Sequence, residues 1–266
     1  AVGRFSSEVD FDTDDEGEFI ETASGTSDAF VTKFNFTGNW EWTTTWGGTD
    51  EDSATGVSYD NEGLFAAGRF RGTTDFGYGG PEATSNGGDD AFLVRFDPMT
   101  GVNIWAKTWG GDNDDSATDL DYVYDWDDDA EHVYVCGYFM NNTGGVGVDF
   151  DPGTRDYVRT SWGATDGFVS KFDGATGNHV LAYTWGAGDN DAALGVNADF
   201  INGWFVGGYI SGVVDFDPGD GEYWSNFYGG YDAYLIGFEV HEDNFLWGIN
   251  WGGAGYDWVN DVGGDL

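Results

Sequence analysis

The residues with the clearest chemical potential are carboxylates set two apart in Gly-rich connections. Asp10-Phe11-Asp12-Thr13-Asp14-Asp15-Glu16, Asp149-Phe150-Asp151 with Asp156 close behind, and Asp215-Phe216-Asp217-Pro218-Gly219-Asp220-Gly221-Glu222 share this pattern. In extended backbone alternate side chains point the same way, so Asp215 and Asp217 converge while Phe216 turns toward the core. Carboxylates brought together repel one another unless a cation answers them. Oxygen-only ligands select a hard cation over zinc or copper. Calcium accepts about six to eight oxygens with tolerant geometry, which suits a loop that adds backbone carbonyls. The expected calcium ligands are Asp10, Asp12, Asp14 and Glu16 in one loop, Asp149, Asp151 and Asp156 in a second, and Asp215, Asp217, Asp220 and Glu222 in a third. The related stretch Asp75-Phe76-Gly77-Tyr78 lacks the second carboxylate and should bind weakly or not at all. The plainer alternative is that these aspartates bond turn amides.

The elements that must carry such loops recur along the chain. A Gly-aromatic strand end appears at Gly3-Arg4-Phe5, Gly68-Arg69-Phe70, Gly137-Tyr138-Phe139 and Gly208-Tyr209-Ile210. Asp, a small residue and an aromatic follow at Asp28-Ala29-Phe30, Asp90-Ala91-Phe92, Asp166-Gly167-Phe168 and Asp232-Ala233-Tyr234, and a Trp-Gly corner at Trp46, Trp109, Trp185 and Trp251. Three markers in one order define four repeats, approximately residues 2–65, 66–134, 135–205 and 206–266, within one domain, 1–266. In the second repeat alternation marks four strands, Ala54 to Tyr59, Leu64 to Phe70, Ala91 to Phe96 and Asn103 to Thr108. The short turns Asn61-Glu62-Gly63 and Pro98-Met99-Thr100-Gly101 make neighbouring strands antiparallel. One such sheet buries too little alone, whereas radial stacking buries both faces. The expected fold is therefore an all-β, four-bladed β-propeller with four antiparallel strands per blade.

Closure follows from the same repeat. Val262-Gly263-Gly264-Asp265-Leu266 read on into Ala1-Val2-Gly3-Arg4-Phe5 repeats the hairpin that ends in Leu64-Phe65-Ala66-Ala67-Gly68-Arg69-Phe70, so the N- and C-terminal strands are expected to pair in one blade. The competing geometry passes the C-terminal strand to a neighbouring molecule and builds a ring or fibre. The motifs Val148-Asp149-Phe150-Asp151-Pro152-Gly153 and Val214-Asp215-Phe216-Asp217-Pro218-Gly219, with the Asp-Ala-Phe strands and Trp-Gly-Gly corners, resemble the bacterial beta-propeller repeat (SBBP) family over nearly the whole chain. The resemblance implies an exported propeller, often part of a larger surface protein, without catalytic residues.

Composition sets further bounds. The 266 residues carry a formal net charge of −40, from 49 acidic against 9 basic residues, which disfavours nucleic acid and anionic membranes as partners. Adaptation to high salt would also produce such acidity, and is compatible with metal loops. Cys136, the only cysteine, lies in the apolar run Val133 to Phe139 and is expected to be a buried thiol. No segment is long and apolar enough to span a bilayer, and the opening at Ala1 suggests a processed or excerpted exported chain.

A second acidic set, Asp52, Asp115, Asp191 and Asp257, falls just after the Trp-Gly corners. It could ring a channel mouth, but capping of turn amides is the preferred account. His132, His179 and His241 lie too far apart for metal-ligand spacing, and nearly every marked residue is repeated, whereas catalysis needs a unique constellation. Trp42, Trp46, Trp105, Trp109, Trp247 and Trp251 should fill gaps between blades. Trp162, Trp204 and Trp224 fall outside that pattern and would stack on sugars if exposed. Asn35-Phe36-Thr37 and Asn141-Asn142-Thr143 match glycosylation acceptors. The expectation is a secreted or cell-surface, non-catalytic, calcium-binding structural or adhesive module whose partners are protein subunits, itself included. The alternatives are a lectin that binds glycans and a polysaccharide-cleaving enzyme.

Overall fold

The computed structural model describes residues 1–13, 17–59, 63–127, 129–141 and 144–264. All regular structure among them is β, in antiparallel sheets of two to four strands. Sheet I is formed by β1 (Val2–Phe5), with β4 (Asp28–Phe34) and β5 (Trp40–Trp46) after the ribbon β2 (Glu8–Asp10) and β3 (Ile20–Thr22). Sheet II comprises β6 (Ser53–Tyr59), β7 (Leu64–Phe70), β10 (Asp90–Phe96) and β11 (Asn103–Trp109), with the ribbon β8 (Thr73–Asp75) and β9 (Glu82–Thr84) between its middle strands. Sheet III comprises β12 (Ser116–Asp125), β13 (Ala130–Phe139), β16 (Asp166–Asp173) and β17 (His179–Trp185), and its ribbon is β14 (Val148–Asp149) with β15 (Val158–Arg159). Sheet IV comprises β18 (Ala192–Asp199), β19 (Gly203–Ile210), β20 (Asp232–Phe238) and β21 (Phe245–Trp251). Its ribbon is reduced to a single bridge, Asp215 with Trp224.

Sequence order equals spatial order in sheets II to IV because each connection is a hairpin or a ribbon that returns beside its start. Every residue of β10 is buried, and alternation sends its side chains to both faces. Ala91 and Leu93 join Phe65 and Trp109 in a cluster with Ala117, Val135, Phe168 and Phe172 of sheet III. Phe92, Val94 and Phe96 turn the other way, against Ala29, Val31 and Trp46 of sheet I. A third cluster joins Cys136, Val169 and Trp185 of sheet III to Val206, Tyr234 and Phe238 of sheet IV. Each sheet thus buries a face only where a neighbour covers it, at about 1.5–3 kcal/mol per large apolar side chain.

Among the described residues sheet I has three strands where sheets II to IV have four, and β1 pairs with β4. The expected pairing of the last residues with β1 is not made among the described residues. Instead, Val259 donates its N–H to Gly208 O at 3.1 Å, and the backbone of Asp261 and Val262 lies over Gly195, so this segment runs along β18 and β19. The reason is visible in the other repeats, where the first strand of a sheet also leans on the two first strands of the sheet before it: β12 on β6 and β7, and β18 on β12 and β13. The 257–264 segment keeps that half of its contacts and lacks the half that would come from β1.

Candidate cation-binding loops

Each acidic loop is anchored by the aromatic between its two aspartates. Phe11, Phe150 and Phe216 are buried, and their N–H groups bond the carbonyls of Phe19, Tyr157 and Tyr223 at 3.0, 3.1 and 3.0 Å. The first carboxylate does the same thing in all three. Asp10 Oδ1 accepts the N–H groups of Asp12 and Phe19 at 3.1 and 2.9 Å, Asp149 Oδ1 those of Asp151 and Tyr157 at 3.0 and 2.8 Å, and Asp215 Oδ1 those of Asp217 and Tyr223 at 3.1 and 2.7 Å. These are backbone clamps that close the loop.

The second carboxylate distinguishes the loops. Asp151 is buried, accepts Gly153 N–H at 2.8 Å through Oδ1, and receives Arg155 Nε at 3.0 Å on Oδ2. A guanidinium therefore supplies the positive charge in this loop, and Asp156 points into solvent. Asp217 accepts Gly219 N–H at 2.8 Å through Oδ1, while its Oδ2 lies over Gly221, where a Cβ would come within 2.1 Å. Asp12 Oδ2 lies over Gly17 in the same way. Asp220 and Glu222 are exposed beside Asp217, and Glu222 Oε2 accepts Trp224 Nε1 at 3.3 Å. Asp14 and Glu16 lie outside the described residues. Among the described residues no three Asp, Glu, His or Cys side chains gather closely enough to hold a metal ion. The donors are of the type a hard cation takes, but a site needs Asp220 and Glu222 to fold in toward Asp217.

The two acidic sets at the corners bond backbone amides, the account preferred from the sequence for Asp52, Asp115 and Asp191. Asp28, Asp90, Asp166 and Asp232 each accept through Oδ2 the N–H of the residue four earlier, at 2.9, 3.1, 3.0 and 2.7 Å. Their Oδ1 atoms are buried against Gly47, Gly110, Gly186 and Gly252, so any side chain after the corner Trp would strike a carboxylate. Burial pushes Asp90 and Asp166 up to about 7.

Asp52, Asp115 and Asp191 are fully buried staples between sheets. One oxygen accepts the N–H of Gly48, Gly111 or Ala187 at 2.9, 2.7 and 2.7 Å, within the corner. The other accepts the N–H of Arg71, Met140 or Ser211 at 3.3, 3.0 and 2.6 Å, just past the second strand of the next sheet. Burial raises Asp115 to about 7 and Asp52 and Asp191 to about 6, against those same N–H bonds. They cap amides rather than form a channel ring.

The histidines are dispersed. His179 is buried against Tyr157 and Phe172, His132 is lowered by burial, and His241 Nδ1 lies 3.2 Å from Asp125 Oδ2. Cys136 is fully buried and burial pushes its thiol far up, as a strand thiol requires. A buried ion pair escaped the sequence reading because its members are 72 residues apart: Lys171 Nζ donates to Asp243 Oδ2 at 2.8 Å. Trp204 Nε1 and Tyr134 OH donate to the other oxygen at 2.9 and 3.2 Å. Trp204 is thereby fixed in the core and unavailable for sugar stacking. Trp162 and Trp224 are 84% and 58% exposed and line a groove of about 600 Å³ together with Asp215, Asp217 and Pro218.

No protein-family model matches this chain, and no curated protein matches it.

Proposed function

We propose that the chain is a non-catalytic, calcium-binding structural or adhesive module of the extracellular surface, whose four repeated sheets are the blades of a propeller. The observation that carries this reading is Arg155. In one loop of three a side-chain cation answers the second carboxylate, so that position tolerates and stabilises positive charge, and the loops of sheets I and IV have only carboxylates and carbonyls with which to recruit it. Calcium bound through Asp217, Asp220 and Glu222, and through Asp12 with Asp14 and Glu16, would rigidify the long ribbons and offset part of the −40 charge. The motif resemblance to exported bacterial propeller repeats supports the same assignment, and the blade reading leaves one joint, sheet IV to sheet I, still to be made.

The test is thermal melting with calcium and with chelator at equal ionic strength. Calcium should raise Tm in the parent chain, Asp217→Ala should remove part of the rise, and Asp156→Ala should leave it intact. A Tm indifferent to calcium sinks the assignment.

A second reading is favoured by the groove between Trp162 and Trp224. Two exposed indoles flanking carboxylates form a surface on which a sugar ring stacks while its hydroxyls meet Asp215 and Asp217. Quenching of tryptophan fluorescence by soluble oligosaccharides, absent in Trp162→Ala, would support a lectin.

A further inference from the structure

We propose that Lys171 and Asp243 join through their side chains in an amide bond, a covalent cross-link that locks sheet III to sheet IV. The link depends neither on calcium nor on how the four sheets close, and it assigns a covalent modification to two residues buried inside one joint.

The joint between sheets III and IV departs from its sister joints at three positions. The turn after the third strand carries glycine at its left-handed position in sheets II and III, Gly101 at φ 70° and Gly177 at φ 69°, but in sheet IV that residue is Asp243 at φ 58°. The turns are otherwise alike: the N–H groups of Asp97, Asp173 and Glu239 bond Val102 O, Asn178 O and Asn244 O at 2.8, 2.9 and 2.9 Å. Side chains are uncommon in this backbone conformation, and here one carries a carboxyl group into the joint. Trp204 pairs with Phe238 where Leu64 pairs with Phe96 and Val133 with Phe172, so an indole N–H replaces an aliphatic group. Lys171 stands where sheet II has Arg95. An amine is a nucleophile once it loses a proton, whereas a guanidinium stays charged.

These departures meet at one point. Lys171 Nζ lies 2.8 Å from Asp243 Oδ2, and Trp204 Nε1 and Tyr134 OH donate to Oδ1 at 2.9 and 3.2 Å. Tyr183 OH holds the Asp243 carbonyl at 3.1 Å. Lys171 and Asp243 are 3% and 6% exposed, and the two donors to Oδ1 are 1% exposed. The other cations that reach across a joint lack this combination. Lys33 bonds Pro98 O and the partly exposed Glu41, and the buried partner of Glu131 is the guanidinium of Arg95.

The reaction balances within the pair. One proton passing across the 2.8 Å contact turns ammonium and carboxylate into amine and carboxylic acid, which a buried site holds more easily than two charges. The Nζ lone pair then adds to Cγ, and the negative charge that develops on Oδ1 falls on the indole N–H and phenol O–H already aimed at it. A second proton moves from nitrogen to Oδ2, the Cγ–Oδ2 bond breaks, and water leaves. Of the three ammonium protons one stays on the amide nitrogen and two depart in the water, so no oxidant or activating group is required. Groups held in contact this way react with effective molarities of about 10⁵–10⁸ M. The product replaces a buried ion pair, which is costly to desolvate, by a neutral amide whose oxygen keeps both hydrogen bonds. In a chain with a single cysteine it ties together residues 72 apart in sequence.

The intact mass of the denatured chain should lie one water below that of its sequence. Lys171 is the last basic residue of the 266, so trypsin should fail to cut the denatured parent there. Lys171→Arg should show the full mass and be cut at that position, and Asp243→Ala should show the full mass and be cut after Lys171. In pulse-labelled protein the linked fraction should grow about 100-fold more slowly in Tyr134→Phe, which lacks one donor to Oδ1. A Tyr134→Phe chain that links as fast as the parent overturns the mechanism. A parent chain of full mass, cut after Lys171, overturns the cross-link itself. So does a chain one water lighter that trypsin still cuts there, because the water then left from another site. Failure of the calcium melt would leave the mass and the digest unchanged.

Discussion

The joint between sheets II and III and the free faces of sheets IV and I share their corner tryptophans, aromatics and aspartates but differ in whether these meet, and Gly237 stands on sheet IV where Arg95 reaches Glu131 in the joint. In the joint, Trp109 is sandwiched against Phe168 and Phe172, and Asp115 bridges Gly111 to Met140. On the free faces Trp251 and Phe34 are partly open to water, and among the described residues Asp257 accepts the N–H of Gly253 without a second one from a following sheet. A repeat therefore encodes two half-interfaces, and their stabilising free energy is realised only when a neighbour removes them from water.

The largest test of this contrast is truncation of the two corner tryptophans in dilute, monomeric protein. Trp109→Ala should lower the free energy of unfolding by about 3–5 kcal/mol, read from denaturant midpoints. Trp251→Ala should cost less than about 1 kcal/mol under the same conditions. Equal costs would mean that the face of sheet IV is already covered.

A smaller difference is expected at the staples. Asp115→Ala strands two buried N–H groups and should cost about 1–3 kcal/mol, whereas Asp257→Ala uncovers a single N–H near solvent and should cost about 0.5 kcal/mol or less. The comparison breaks if the two variants melt alike.

A further contrast lies in pH dependence. Asp90, Asp115 and Asp166 near 7, and Asp52 and Asp191 near 6, all lie above the ordinary aspartate value because burial disfavours their charged form. Between the unfolded and folded values the native state holds more protons than the unfolded chain, so stability falls as pH rises from about 4 to about 7. Repulsion within the −40 charge acts in the same direction. Asp97 and Asp199, held low chiefly by the Thr100 hydroxyl and the Ile201 N–H, act only below that window. Tm at constant ionic strength should be higher near pH 4.5 than near pH 7.5, with a shallower slope in Asp115→Asn. A Tm that rises across this range refutes the account.

Much of the architecture was legible in the residues. The second repeat's strands fall within a residue of their expected bounds, since alternation and turn chemistry are local signals. The anchoring of Phe11, Phe150 and Phe216 followed from the same period of two. The loops were less legible: spacing shows that Asp149 and Asp151 can converge, but not that the first would clamp amides and the second meet Arg155. Both outcomes depend on how the ribbon returns. The Lys171–Asp243 pair and the open Trp162–Trp224 groove join residues from different sheets, and no local pattern reports such meetings.

By itself the sequence determined four sheets of antiparallel strands, the corner at which each ends, and the aspartates and glycines that shape that corner, because these follow from short-range periodicity and sterics. Only the tertiary structure decided which carboxylates are clamps, which corner tryptophans are buried, and on which side the 257–264 segment lies. Those outcomes depend on what sits across an interface, which the short-range pattern shared by the repeats does not report.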